Sequence, residues 1–248
     1  MTSDIAPYLF PVAEYPVSIG QTNRPTSDYK AIVRQDNGKL ISIQRKTYKL
    51  VPNSEVIKPL LAQLHKLDTS WYIDTSHSFV ESEKMRLQVT FPELIFHDGR
   101  SDIALSLFIH NSYDSSEGIR MMFGAIRGIC KNGMVFGEVL SKFYGKHTQG
   151  FDVRNLRQVL ESTYDKIPVI KHRIEAMQNT RPSNELRADI QKKIGKKAMN
   201  YVEQQESESR KAQNEWILYN FLTYFISHIV QQRMRAHYQL QVSKLFKL

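Results

Sequence analysis

The chain has 248 residues, 41% of them hydrophobic and 24% charged, with a formal net charge of +9 and one Cys. That apolar share excludes wholesale disorder, and one Cys excludes an intramolecular disulfide and a Cys-based zinc cluster. The charge is uneven: residues 1–150 carry 17 Lys/Arg against 15 Asp/Glu and residues 151–248 carry 17 against 10, so +2 and +7. An excess of this kind fits a nucleic acid, a membrane surface or an acidic protein as partner.

Residues 1–28 hold four Pro and little periodicity, which predicts an extended N-terminal arm. Tyr29 to Val33 and Leu40 to Tyr48 read as a hairpin about Asp36-Asn37-Gly38. The Asn-Gly pair supplies the positive-φ positions that tight hairpins need. A helix follows, capped by Asn53 or Ser54, with Val56, Leu60, Leu61 and Leu64 on one face. Strands are expected over Trp71 to Val80, Met85 to Phe91 and Ile103 to Ser112. Alternation is clear in Met85, Leu87, Val89 and Phe91. Gly118 to Gly137 reads as strand–turn–strand about Lys131-Asn132-Gly133.

From Asp152 the pattern turns helical. One helix is expected over Asp152 to Gln178, kinked at Pro168, another over Asn184 to Glu203, and a third over Asn214 to Tyr238. Trp216 to Val230 is apolar at 11 of 15 positions but interrupted by Asn220, Thr223, Ser227 and His228, so it reads as a buried bundle helix and not a membrane span. No basic n-region followed by an apolar run opens the chain, which with the lone Cys fits a cytoplasmic protein. The fold class expected is α+β: a hairpin–helix–antiparallel sheet core over 29–150, and a helical, basic C-terminal region over 151–248 packed on it.

Enzymatic motifs are absent from the sequence. No phosphate-cradling Gly loop occurs, and the eight His form no compact ligand spacing. Asp98, Asp102, Asp114 and Glu117 together with His147 could hold a divalent metal as in a nuclease. The same carboxylates are favoured turn residues, which is the simpler reading. Cys130 between Arg127 and Lys131 is a candidate thiolate, read more simply as a buried thiol. Basic residues interleaved with aromatics carry more weight, because single strands need cations along phosphates and flat faces for bases. Arg45, Lys46, Arg120, Arg127 and Lys131 are the expected phosphate contacts, with Tyr48 and Tyr113 as stacking platforms.

Several short pieces carry a family resemblance: Tyr48-Lys49-Leu50, Asn111-Ser112-Tyr113-Asp114, Arg127, Cys130-Lys131-Asn132-Gly133, His147-Thr148, and Trp216 with Tyr219, Asn220 and Thr223. On these the chain resembles a family of unknown function associated with phages and plasmids, over about residues 29–246. The resemblance implies a mobile-element protein and brings no activity with it. The order hairpin, helix, strands, long helix is also similar to the core of Rad52-like single-strand annealing proteins. That second likeness implies an oligomer holding single-stranded DNA in a basic groove, with bases presented for pairing and no covalent chemistry.

The expectation is therefore a single-stranded DNA-binding, strand-annealing protein of a phage or plasmid. It would act as a homo-oligomer, with no cofactor, metal, catalytic residue or membrane contact. The alternatives are a binding module that disables a host defence or replication protein, and a metal-dependent nuclease.

Overall fold

A computed structural model describes residues 5–18, 20, 25–81, 83–98, 101–127, 133–135, 142–145, 167–209 and 214–248. The fold is α+β, with antiparallel sheets and helices. Two compact units emerge. The first draws on residues 1–89, 108–121 and 143–158, the second on 90–107, 122–142 and 159–248.

The first unit begins with a three-stranded antiparallel sheet in the order β1 (Val12–Ser18), β2 (Pro25–Arg34), β3 (Leu40–Arg45). Of the residues expected as an extended arm, Ala6–Tyr8 form a short 3-10 helix, 12–18 are the outer strand of this sheet and 25–28 begin β2. The hairpin forms as expected, but its connection is five residues long and only Gly38, at φ 69°, takes the left-handed conformation. Asn37 uses its side chain instead: Oδ1 accepts from the Lys39 amide at 3.0 Å. Phe10, Ile32, Tyr48 and Tyr113 pack into one apolar cluster, with Phe10 edge-on to Tyr113 at 6.0 Å.

Helix α1 (Asn53–Leu64) buries Val56, Leu60 and Leu64 of the expected stripe, with Ile57 buried beside them and Leu61 half-buried. Its cap differs from expectation. Pro52 holds the N-cap position without a side-chain bond, and Asn53 turns its amide inward to the Tyr8 carbonyl at 3.0 Å.

The larger sheet runs β10-β8-β7-β6-β4, with β5 paired to β6 and β9 to β8. The strand expected over 71–80 is two short pieces, β4 (Tyr72–Ile73) and β5 (Phe79–Val80). Asp74 breaks it, because its carboxylate accepts from Ser76 N at 3.0 Å, Ser76 Oγ at 2.6 Å and His77 Nδ1 at 2.8 Å, closing a turn. Burial alone would raise the Asp74 pKa, and the bonds from His77 and Ser76 outweigh it and hold the group near about 2. Long strands β6 (Lys84–His97) and β7 (Asp102–Ser112) follow, then β8 (Ile119–Arg127), β9 (Gly133–Val135) and β10 (Lys142–Gly145). β8 and β9 pair antiparallel, as the strand–turn–strand reading expects, while the turn about Lys131 lies outside the described residues.

In the second unit the helices are α2 (Ile167–Asn179), α3 (Asn184–Ile194), α4 (Lys196–Ser209), α5 (Glu215–His228) and α6 (Gln232–Phe246). Pro168 sits in the first turn of α2, and residues 152–166 lie outside what is described. The helix expected over 184–203 is split at Gly195, whose φ of 109° no α-helix accommodates. The last expected helix is likewise two, separated by residues 229–231. Ser183 and Asn214 cap α3 and α5 by accepting from the amides three residues on. α5 buries nine residues on several faces, as its apolar run predicts, and Trp216 stacks on Tyr219 at 5.3 Å. Among the described residues no helix is long and apolar enough to cross a membrane.

Candidate nucleic-acid interface

The Asn-Ser-Tyr-Asp piece lies where β7 ends, and Asn111, Ser112 and Tyr113 are buried there. Tyr113 is only 1% exposed and Tyr48 8%. Tyr113 Oη accepts from the Asn53 amide at 2.7 Å, and Tyr48 Oη donates to the Ser112 carbonyl at 3.1 Å. Asn111 Nδ2 donates to the Val51 carbonyl at 3.0 Å and to Asn53 Oδ1 at 2.9 Å. Ser42 Oγ reaches the Tyr113 carbonyl at 2.5 Å. These residues tie β3, α1 and β7 into one polar knot. Stacking on a base needs an exposed ring face, which neither tyrosine offers, so the stacking assignment of Tyr48 and Tyr113 is corrected to a structural one.

The loop beyond is equally occupied. Ser115 adopts φ 59°, costly for a residue with a Cβ, and its hydroxyl donates to Gln44 Oε1 at 2.6 Å. Asp114 Oδ1 accepts from Ser116 N at 3.0 Å and Ser116 Oγ at 2.5 Å. Burial pushes the Asp114 pKa up, and the Ser116 bonds, helped by Lys84, bring it below the ordinary carboxylate value. Asp114 thus serves its turn, as the simpler sequence reading has it.

A second buried polar group lies across β6, β7 and the start of β8. Arg86 is 5% exposed and His110 4%. The Arg86 guanidinium donates to the Met85 carbonyl at 3.0 Å and to Glu117 Oε1. His110 Nδ1 stands 4.0 Å from Glu117 Oε2, beyond hydrogen-bond reach. Among the described residues Arg86 Nε, His110 Nδ1 and Glu117 Oε2 have no hydrogen-bond partner. Burial lowers the Arg86 pKa, and Glu117 offsets part of that effect. Burial also holds His110 well below the usual histidine value, reinforced by the positive charges of Arg86 and Arg120. Arg120 is half-buried and belongs to this cluster electrostatically, whereas Arg45 and Lys46 are exposed.

His110 gives a directional pH dependence. Its folded pKa lies below its unfolded value of about 6.5, so the unfolded chain binds the extra proton first. The stabilisation is fully present above pH ~6.5 and is lost as the pH falls below it, by up to about 1.4 kcal/mol per unit. Unfolding free energies between about pH 7.5 and about pH 5.5 are expected to drop in the parent and to flatten in His110→Gln. Parallel slopes in the two proteins would refute this assignment.

Arg45 and Lys46 are exposed at the end of β3, and no described carboxylate forms an ion pair with either. Arg127 ends β8 with its side chain outside what is described, and Lys131, Cys130 and His147 lie outside the described residues. Three of the four carboxylates proposed for metal chemistry are engaged by protein donors. Besides Asp114 and Glu117, Asp98 accepts from Trp216 Nε1 at 2.8 Å and from the Ser101 amide at 2.9 Å, while Asp102 is exposed where β7 begins. Among the described residues no group of three or more His, Cys, Asp or Glu could hold a metal ion.

Four exposed lysines around Gly195, at positions 192, 193, 196 and 197, were not singled out by the motif reading. The run Lys-Lys-Ile-Gly-Lys-Lys was the available signal, masked by the general basic excess of the C-terminal part. His110 and Arg86 were missed as a pair, because no short motif joins them.

Comparison with known proteins finds one family. The model of the family described as "Domain of unknown function (DUF932)" matches residues 40–242. No curated protein matches the chain, and no solved structure matches it.

Proposed function

The chain belongs to the DUF932 family of unknown function, and from that premise we propose that it binds single-stranded DNA and promotes strand annealing for a phage or plasmid. In this reading it works in the host cytoplasm as a homo-oligomer, and its action is presentation of bases without covalent chemistry. The observation that carries the reading is how the first unit distributes its charges. Glu14 pairs with Lys30, Asp36 with Arg34, and Glu117 with Arg86, whereas Arg45 and Lys46 stay exposed without a described acid partner. Exposed, unneutralised cations are what a phosphate backbone recruits, through release of its condensed counterions.

The test is fluorescence anisotropy with labelled single-stranded and duplex DNA over a salt series, beside light scattering for mass. The parent is expected to prefer the single strand, with a steep salt slope and a large assembly. Arg45→Gln combined with Lys46→Gln should weaken binding and reduce that slope by about 1.4, two contacts at ~0.7 each. A parent that ignores both DNAs at low salt sinks the reading, and a host-protein pull-down becomes the next experiment. A parent that binds as strongly as the double variant leaves Arg45 and Lys46 out of the interface.

A further inference from the structure

Helices α3 and α4 fold back on each other as a hairpin. Its open end is clamped by Arg187, whose Nη1 and Nη2 donate to the two Glu206 oxygens at 2.9 and 2.7 Å. The helices meet through a single residue, Gly195, at φ 109° and ψ 161°. That sharp corner gathers Lys192 and Lys193 from the last turn of α3 with Lys196 and Lys197 from the first turn of α4. All four are exposed, while Ile194, Ala198 and Met199 are buried.

The two pairs differ in what the fold gives them. Lys192 and Lys193 face the negative end of the α3 dipole, which favours cations, and Asp189 lies one turn before Lys193. Lys196 and Lys197 sit at the positive end of α4, where cations are disfavoured, and no acidic residue occupies that first turn. Of the hairpin's other acids, Glu185 lies in the first turn of α3, and Glu203, Glu206 and Glu208 lie in the second half of α4. Among the described residues no carboxylate pairs with any of the four lysines. The tip thus concentrates four positive charges, of which helix stability calls for Lys192 and Lys193 but not for Lys196 and Lys197.

We propose that this hairpin tip is a phosphate-contacting surface in its own right, taking the backbone of a nucleic acid strand. The inference rests on the reading that nucleic acid is the ligand, and it adds a second contact surface, in the helical unit, to the one at Arg45 and Lys46. Lysine suits the task, being a point-charge phosphate binder that needs no fixed geometry. A membrane surface is the less favoured occupant, because Ile194 is buried and the tip offers no apolar side chain between its lysines to enter a lipid interface.

The experiment uses the full chain with all four lysines changed together: Lys192→Gln, Lys193→Gln, Lys196→Gln and Lys197→Gln. Because all four are exposed, and the two unfavourable dipole contacts removed at α4 offset the two favourable ones removed at α3, the melting temperature is expected to stay close to that of the parent. With labelled oligothymidine, affinity at moderate salt should fall more than tenfold and the salt slope by roughly 2 to 3. The Arg45→Gln/Lys46→Gln variant is measured alongside. If the parent and that variant bind as expected while the lysine variant equals the parent, nucleic acid is the ligand and the tip is not its contact. If the parent binds no DNA at low salt, the broader reading fails with it. Binding of the parent to phosphatidylserine vesicles in place of DNA overturns the inference in favour of a membrane.

Discussion

Glu117→Gln is expected to lower the unfolding free energy by on the order of 3 kcal/mol, a large share of what a domain of this kind possesses. Arg86 is buried, and Glu117 is the carboxylate that its guanidinium reaches. Removing that charge leaves a desolvated cation beside Arg120 and a buried imidazole, where its pKa is already lowered by burial. Cutting one partner of a buried pair costs far more than the pair itself is worth. Glu117 is also fixed in place: Ser112 Oγ donates to its carbonyl at 2.7 Å and accepts from its amide at 3.2 Å, so the side chain has little room to relax. Urea denaturation of the single variant and of Arg86→Met/Glu117→Gln separates charge from shape. The double variant should recover part of the loss, since a neutral pair of similar volume leaves no orphaned charge. A single variant that unfolds at the parental urea concentration would show that Arg86 is not held by Glu117.

Trp216→Ala is the second large effect, expected at about 3–5 kcal/mol in the helical unit. Trp216 is almost fully buried, stacks on Tyr219, and donates Nε1–H to Asp98 Oδ2. The substitution opens a cavity and at the same time deprives a buried carboxylate of a donor. Trp216→Phe keeps most of the apolar volume and loses only the donor, so it should cost about 1–3 kcal/mol. Thermal melts followed by circular dichroism at a helix wavelength are the measurement, with a fall of roughly 10 °C for the alanine variant. The chain's other tryptophan, Trp71, belongs to the first unit, so its fluorescence in the Trp216→Ala protein follows that unit. A fall no larger for Ala than for Phe would mean that the packing of Trp216 contributes little and the hydrogen bond is the whole effect.

The β6 strand illustrates what local sequence can and cannot tell. Met85, Leu87, Val89 and Phe91 alternate, and all four are buried as the pattern demands. The intervening Arg86, Gln88 and Thr90 read by the same rule as a solvated face, yet they are buried too. Alternation reports a period of two and carries no information on what covers the second face. The polar members of β7 follow suit: Ser106, His110 and Ser112 are buried, and Thr90 meets Ser106 hydroxyl to hydroxyl at 3.1 Å. A basic-and-aromatic reading of such strands therefore counts some residues as available that the fold has already used.

The sequence alone determined the α+β class, the hairpin at Gly38, the apolar stripe of α1, the strands β6 and β7, and the burial of α5, because each rests on local periodicity or a backbone conformation that one residue type permits. It also determined the net positive charge and its concentration in the C-terminal part. Tertiary structure alone decided which cations remain available. It spent Lys30 and Arg86 on Glu14 and Glu117, buried Tyr48 and Tyr113 in a polar knot, and left Arg45, Lys46 and the four lysines around Gly195 exposed. The physical reason is that pairing and burial depend on residues distant in the chain, such as Arg86 and Glu117 or Asn53 and Asn111, whose meeting no local pattern encodes.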